Sequence, residues 1–279
     1  MSSLLSTKAI ALPLVSVITP AFNSERYIEM TINSVLNQDY PNIEYIIIDG
    51  ASTDSTFHII KSFGARISYC ESSEDTGMYA AINKGLRKAK GDILCYLNSD
   101  DCFRPNTVSE VVKAFSESSC ELSLVYGDLE LVNRFGQIIR RHYYRKFNKL
   151  SFISCDHSLI GQPSAFWTKA IVEKVGLFDE SFKMAGDFEF FARISAIAPE
   201  TILHRSSVVT RFRIHTESLS SNHRQISASE VKLIKRKYSY SIKEASCTSI
   251  AVATISRLKY RLRNVLEVIV VAWLHSWEK

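Results

Sequence analysis

The sequence contains no GxGxxG and no GxxxxGK[ST], so neither the dinucleotide fingerprint nor the usual phosphate-cradling loop is present. Dehydrogenase and ATPase activities therefore lose their sequence basis. Nor is there a run of about 18 uninterrupted apolar residues, so no spanning helix is expected. The opening MSSLLSTKAIALPLVS places Lys8 after its first apolar residues and shows no convincing cleavage site, and no signal peptide is expected. Cys70, Cys95, Cys102, Cys120, Cys155 and Cys247 form no CxxC pair and no metal-finger spacing, which points to reduced thiols in the cytosol. Repeats and low-complexity segments are also missing.

What is there is a folded globular chain: 279 residues, 46% hydrophobic and 23% charged, enough for one large domain or two small ones. The net charge of +5 is unevenly placed. Lys232 to Arg263 holds nine Lys/Arg against the single Glu244, a net of +8, which leaves −3 for everything else. The body is slightly acidic and the basicity belongs to the C-terminal end.

VSVIT at 15–19 and YIIID at 45–49 are β-branched runs of the kind buried on both faces of a parallel sheet. Between them Tyr27, Ile28, Thr31, Ile32, Val35 and Leu36 recur at helical spacing, with Asn23 or Ser24 as the expected cap and Pro41 as the stop. The alternation continues with a helix over 55–63, a strand near 67–70, a helix over 78–90 closed by Gly91, and the strand ILCYL at 93–97. Beyond Pro105 the pattern gives a helix near 107–117, a strand at 124–126, a hairpin turned by Asn133–Gly136, helices at 169–175 and 188–197, and a strand at 208–214. The expected class is α/β, with a mostly parallel, Rossmann-like central sheet flanked by helices, a smaller mixed region, and a helical tail. Residues 1–13 read as an extension, 14–220 as the domain (14–104 and 105–220 as its halves), and 221–279 as the tail.

Such sheets bind ligands outside the carboxyl ends of their strands, and there the sequence places acid. Asp49 closes the second strand and Asp100–Asp101 the fourth. An adjacent carboxylate pair suits Mg²⁺ or Mn²⁺ bridging to a diphosphate; alone it is also an ordinary loop feature. Asp49 in DGAST serves equally as a turn residue.

The stretches VSVITPAFNSERYIEMTINSVLNQ, YIIIDGASTDST, EDTGMYAAINKGLRKAKGDILCYLNSDD and GLFDESFKMAGDFEFFAR follow one another in a fixed order. Together they resemble the inverting family 2 glycosyltransferases of the GT-A fold, particularly bacterial members that build surface polysaccharides. The resemblance covers roughly residues 13–220. It implies a base and ribose subsite at Thr19, Pro20, Ala21, Phe22 and Asn23 with Asp49, Gly50 and Ser52. It further implies donor contacts at Gly77, Asn83, Asn98, Ser99 and Asp100, and a divalent metal, Mn²⁺ or Mg²⁺, on Asp100 and Asp101 with His215 approaching it. Asn98 stands where many relatives carry Asp, and Gly186 precedes the aligned base where Glu is usual. Asp187 is the implied catalytic base, a residue type that also caps helices well. His157 and Gln162 are expected on the acceptor side. The implied donor is a nucleoside-diphosphate sugar, UDP-sugar favoured, and the implied acceptor a saccharide or lipid-linked glycan.

RLKYRLRNVLEVIVVAWLHSW at 257–277 puts an apolar stripe beside four basic residues. It reads as an amphipathic helix for the inner-membrane surface, giving a cytoplasmic and peripheral location, or as a packing helix joining two copies. Nucleic acid is not an expected partner, for want of an aromatic platform. Two other functions stay open on the sequence: a sugar nucleotidyltransferase, and an inactive transferase-like binding module.

Overall fold

The structure is a computed structural model that describes residues 12–154, 159–218 and 223–239. In chain order it contains β1 (Val15–Ala21), α1 (Ile28–Leu36), β2 (Ile43–Asp49), α2 (Thr56–Ser62), β3 (Tyr69–Ser72), α3 (Met78–Lys88), β4 (Ile93–Tyr96), β5 (Cys102–Phe103), α4 (Thr107–Glu117), β6 (Leu124–Val132), β7 (Ile138–His142), α5 (Lys149–Ser154), β8 (Ala165–Thr168), α6 (Lys169–Val175), α7 (Gly186–Ile197), β9 (Ile202–Arg213) and α8 (Arg224–Ser239).

One sheet runs in the order β3-β2-β1-β4-β8-β6-β9-β5, with β7 paired to β6. The first four strands are parallel. β8 enters antiparallel between β4 and β6, and β6 and β9 are parallel. The mostly parallel sheet expected from the alternating pattern is therefore present, and it continues through both halves of the domain.

Both faces are covered, which explains why β1, β2 and β4 read as continuous apolar runs. On one face Ile82, Leu86, Trp167, Phe190 and Phe191 pack with Ile18, Ile46 and Ile48; on the other Ile28, Ile32, Val108 and Val111 meet Val17, Ile47 and Val125. Burying each such side chain contributes about 1.5–3 kcal/mol. Gly85 lets α3 lie against β1, since a Cβ there would sit 2.4 Å from Ile18 Cγ2.

Several boundaries differ from the expected ones. β1 continues through Pro20 and Ala21, because all seven of its residues are buried and paired with β2. The cap of α1 is Tyr27 with no side-chain bond; Ser24 instead supplies the carbonyl that accepts Tyr27 and Ile28 N–H. β6 and β9 extend well beyond the expected 124–126 and 208–214 because they pair with each other along most of their length. β5, β8 and α5 were not foreseen: two are strands of 2 and 4 residues, too short to show a period. Among the described residues no helix is long and apolar enough to cross a membrane, and Cys70, Cys95, Cys102 and Cys120 are free thiols. The stripe expected at 257–277 lies outside the described residues, as does most of the basic tail.

Candidate active site

The loops after β1 and β2 are fastened to each other by side chains. Asn23 N–H donates to Ser52 Oγ at 2.8 Å, and Thr53 N–H donates to Asn23 Oδ1 at 2.9 Å. Ser52 in turn donates its N–H and hydroxyl to Asp49. Asn23 and Ala51 both adopt left-handed backbone, with φ of 46° and 60°. Such conformations cost energy and persist where surroundings impose them, which is common at ligand sites. A second fastening carries on to β4, where the Ser24 and Ser99 hydroxyls share a bond of 2.7 Å.

Beyond β4 the carboxylate pair divides its work. Asp100 keeps part of its surface open and meets His215 Nε2 at 2.9 Å. Asp101 is 1% exposed; its Oδ1 accepts Arg213 N–H, and its backbone carbonyl accepts Thr31 Oγ1. Burial, with Asp100 beside it, holds the Asp101 carboxyl well above the usual carboxylate range. Arg213 ties the group together by donating Nε to Asp100 O at 2.8 Å while its guanidinium lies 5.0 Å from the Tyr27 ring. Tyr27 also packs against His215, ring centroids 4.6 Å apart.

Asn98 Oδ1, Asp101 Oδ2 and His215 Nδ1 are buried without hydrogen-bond partners. Orphaned acceptors of this kind are rare unless something binds them. No group of three or more His, Cys, Asp or Glu among the described residues forms a complete metal cage. Asp100, with His215 beside it, could supply one or two ligands to a divalent cation that takes the rest from phosphate oxygens and water.

Asp187 sits in the first turn of α7, and the helix starts one residue before it, with Ala185 and not Asp187 as its cap. Its Oδ1 accepts Phe188 N–H at 2.8 Å and faces the Tyr79 hydroxyl at 3.5 Å. Burial pushes the Asp187 carboxyl up to about 6, partly offset by those bonds and reinforced by Glu230. Glycine at 186 has a physical reason here: a Cβ would stand 2.7 Å from the Tyr79 ring. Glu230, on α8, receives the N–H groups of Lys183, Met184 and Ala185 at 2.8, 2.9 and 2.8 Å, fixing the segment that presents Asp187.

Burial, with added charge from Asp187, Tyr79 and Asp101, raises the Tyr96 hydroxyl at the end of β4, so both acidic centres act electrostatically on one residue. From the β2 end, Gly50, where a Cβ would stand 2.9 Å from Asp75, leads to Asp75 Oδ1, which accepts Gly77 N–H just before α3 and Tyr79. Gly77 has φ of 133°, a conformation that favours glycine.

The other residues implied at the site take the following places in the fold. Asn83 is 1% exposed and spends its amide on Phe178 O, Glu180 Oε1 and Phe178 N–H. It anchors α3 to the 177–180 loop. Thr19 is buried within the sheet with its hydroxyl shared with Tyr45, leaving Phe22, 63% exposed, and Asn23 as the accessible part of TPAFN. Asp49 is fully buried and has both oxygens engaged by Ser52 and Ser72; it locks the loop. Gln162 is nearly buried and donates to Tyr96 O at 2.9 Å, bracing the β4 end. His157 lies outside the described residues. Tyr27 and Tyr79 lie inside the stretches that carry the family resemblance, and Glu230 outside them, yet nothing in the sequence singles out any of the three for the site.

The glycosyl transferase family 2 model matches residues 16–173, more than half of the chain. An uncharacterised glycosyltransferase of Rickettsia typhi is 29% identical over 208 residues, covering 73% of this chain and 64% of that protein. An uncharacterised glycosyltransferase of Mycobacterium tuberculosis is 32% identical over 193 residues, covering 68% of this chain and 72% of that one. The putative teichuronic acid biosynthesis glycosyltransferase TuaG of Bacillus subtilis is 40% identical over 114 residues, 40% of this chain and 45% of TuaG. This chain thus spans under two thirds of the Rickettsia relative's length. Among solved structures, TarS 1–349 of S. aureus in complex with UDP-GlcNAc superposes with a TM-score of 0.61 at 19% identity, covering 84% of this chain and 74% of that one. The mannosyltransferase PcManGT of Pyrobaculum calidifontis, in complex with GDP-Man and Mn²⁺, gives 0.57 at 18% identity, over 96% and 88%. The GT-A fold is shared with these structures, and the chain belongs to glycosyl transferase family 2.

Proposed function

We propose that this protein transfers a sugar from a nucleoside-diphosphate sugar, UDP-sugar favoured, to a saccharide or lipid-linked acceptor, with inversion and with a divalent metal, in the assembly of a surface polysaccharide at the cytoplasmic face of the membrane. The observation that carries it is an open Asp100–His215 couple after β4 together with the Asp187 carboxylate, raised to about 6, at the start of α7, with Asp187 and Asp101, next to Asp100, both acting on Tyr96. The solved neighbours bound to UDP-GlcNAc and GDP-Man, and the naming of TuaG for teichuronic acid biosynthesis, support the donor class and the pathway.

Phe22, Asn23 and the Ser52 loop form the base and ribose side, with Gly50 and Gly77 leaving room for close backbone approach. Asp100 and His215 would hold the cation, with Asn98 and Ser99 assigned to the diphosphate, and Asp101 keeps that loop in place through Arg213. A cation held there would offset the charge growing on the leaving nucleoside diphosphate. Asp187, ionised near neutral pH, takes the proton of the attacking acceptor hydroxyl, a contribution of roughly 10²–10⁴-fold. With the base opposite the leaving group, one in-line displacement inverts the anomeric carbon. Gln162 lies next to the acceptor side at the β4 end.

Calorimetry of UDP-sugar binding with and without Mn²⁺ tests the metal end. Asp100→Ala is expected to abolish the Mn²⁺-dependent part; equal donor affinity in the variant and the parent, with and without metal, refutes the assignment.

A further inference from the structure

The β6–β7 hairpin carries two features that the crevice chemistry does not use. Its tip and edge expose Phe135 at 70%, Ile138 at 49% and Ile139 at 44%, with Ile214 beside them at 41%. The hairpin and the segments it meets carry Arg104, Arg134, Arg140, Arg141 and Arg211; of the two hairpin carboxylates, Glu130 is buried and shared by Arg104, Arg141 and Arg211, and Asp128 is buried and engaged by Tyr144 N–H and His204. Five arginines against these two buried acids leave positive charge on the same hairpin as the exposed apolar residues.

The tip is rigid. Asn133 Oδ1 accepts Phe135 and Gln137 N–H, and Asn133 N–H donates to Gln137 O. Arg134 lies 4.6 Å from the Phe135 ring, so the exposed aromatic carries a cation alongside it. A preformed tip gives up little freedom on inserting. Arg213 connects the tip to the crevice, donating Nη1 to Asn133 O and Arg134 O and Nε to Asp100 O.

From this arrangement we infer that the β6–β7 hairpin docks on an anionic lipid surface, with Phe135 and the neighbouring isoleucines in the interface and the arginines among lipid phosphates. Apolar residues flanked by Arg suit that boundary. A second copy seated face to face would bring the same arginines together, which like charges oppose. The chain's own residues 240–279 are a poor occupant too, carrying six Lys/Arg against three Asp/Glu. Docking there sets the crevice beside the bilayer, and it stands whether or not the transferase reading holds.

Sedimentation of the full chain with sucrose-loaded vesicles provides the test. Binding is expected to vesicles of phosphatidylcholine with phosphatidylglycerol and not to phosphatidylcholine alone. Each basic residue near an anionic surface strengthens binding about fivefold, so Arg134→Glu with Arg140→Glu is expected to weaken it at least tenfold. Phe135→Ser with Ile139→Ser is expected to weaken it comparably. In Phe135→Trp, an emission blue shift and quenching by brominated lipid are expected on the anionic vesicles. Parental binding by both double variants, with no shift in Phe135→Trp, overturns the inference and moves docking to the tail. Loss only in the arginine variant, matched by equal competition from dextran sulfate, also overturns it and makes the patch a polyanion site. Absence of binding by the parent chain overturns it outright.

Discussion

The two acidic centres, the donor end around Asp100 and the base end at Asp187, are built in opposite ways. At the donor end, successive strand-to-helix loops lie side by side because their parallel strands do, and short polar side chains knit them: Asn23 to Ser52, Ser52 to Asp49, Ser24 to Ser99. At the base end, Asp187 depends on Tyr79, more than a hundred residues earlier, and on Glu230, which arrives from a helix outside the segment matched to the family. A site assembled from neighbouring loops tolerates loss of one bond better than one hung on distant single contacts. Burial is also used differently: it leaves Asp100 open to a cation and pushes Asp187 up to about 6.

Asp187→Asn breaks the comparison most severely. Turnover measured with labelled donor is expected to fall at least 10²-fold, with donor affinity within a few fold. The folded carboxyl at about 6 lies above its unfolded value of about 3.9. The stability this group adds is therefore complete below about pH 4 and lost as pH rises through about 6. The Asn variant should accordingly gain Tm relative to the parent at pH 7.5 and gain little at pH 4; an equal change at both pH values contradicts the raised pKa.

Gly186→Ala comes next, since the new Cβ must displace the Tyr79 ring. We expect kcat to fall by about an order of magnitude while KM for the donor holds, at a cost of about 1–3 kcal/mol in denaturant stability. A fully active variant would mean that Tyr79 does not set the position of Asp187.

Glu230→Gln sharpens the contrast through pH. The parent's kcat/KM should drop about tenfold from pH 7 to pH 5 as the base protonates. Because the Glu230 charge raises the Asp187 pKa, its neutralisation should move this acid limb to lower pH. An unmoved limb with lowered Tm would reduce Glu230 to a purely structural tie.

Asn83→Ala has the smallest expected effect on activity and tests whether Asn83 serves the fold or the donor. Losing its bonds to Phe178 and Glu180 is expected to cost about 1–3 kcal/mol of stability with donor affinity unchanged by calorimetry. A several-fold loss of donor affinity in a folded variant would restore Asn83 to the donor site.

Much of the donor end was legible. The strands β1, β2 and β4 announce themselves as apolar runs, and the acids that follow them lie where the topology opens the sheet. Legibility failed where a residue's use depends on what faces it. Asn83 and Thr19 stand in the right motifs, yet their polar atoms are taken by Phe178 and Tyr45. Nothing local marks Tyr79 as the partner of Asp187, or Glu230 as the acceptor of three N–H groups.

By itself, the sequence determined the α/β order, the parallel first half, and the acids at strand ends, because hydrophobic period and turn chemistry are properties of neighbouring residues. Only the tertiary structure decided that Asp100 stays open, that Asp49 is locked, and that Asp101 and Asp187 are raised in pKa. Those outcomes depend on desolvation and on hydrogen bonds between residues that the fold, not the chain, makes neighbours.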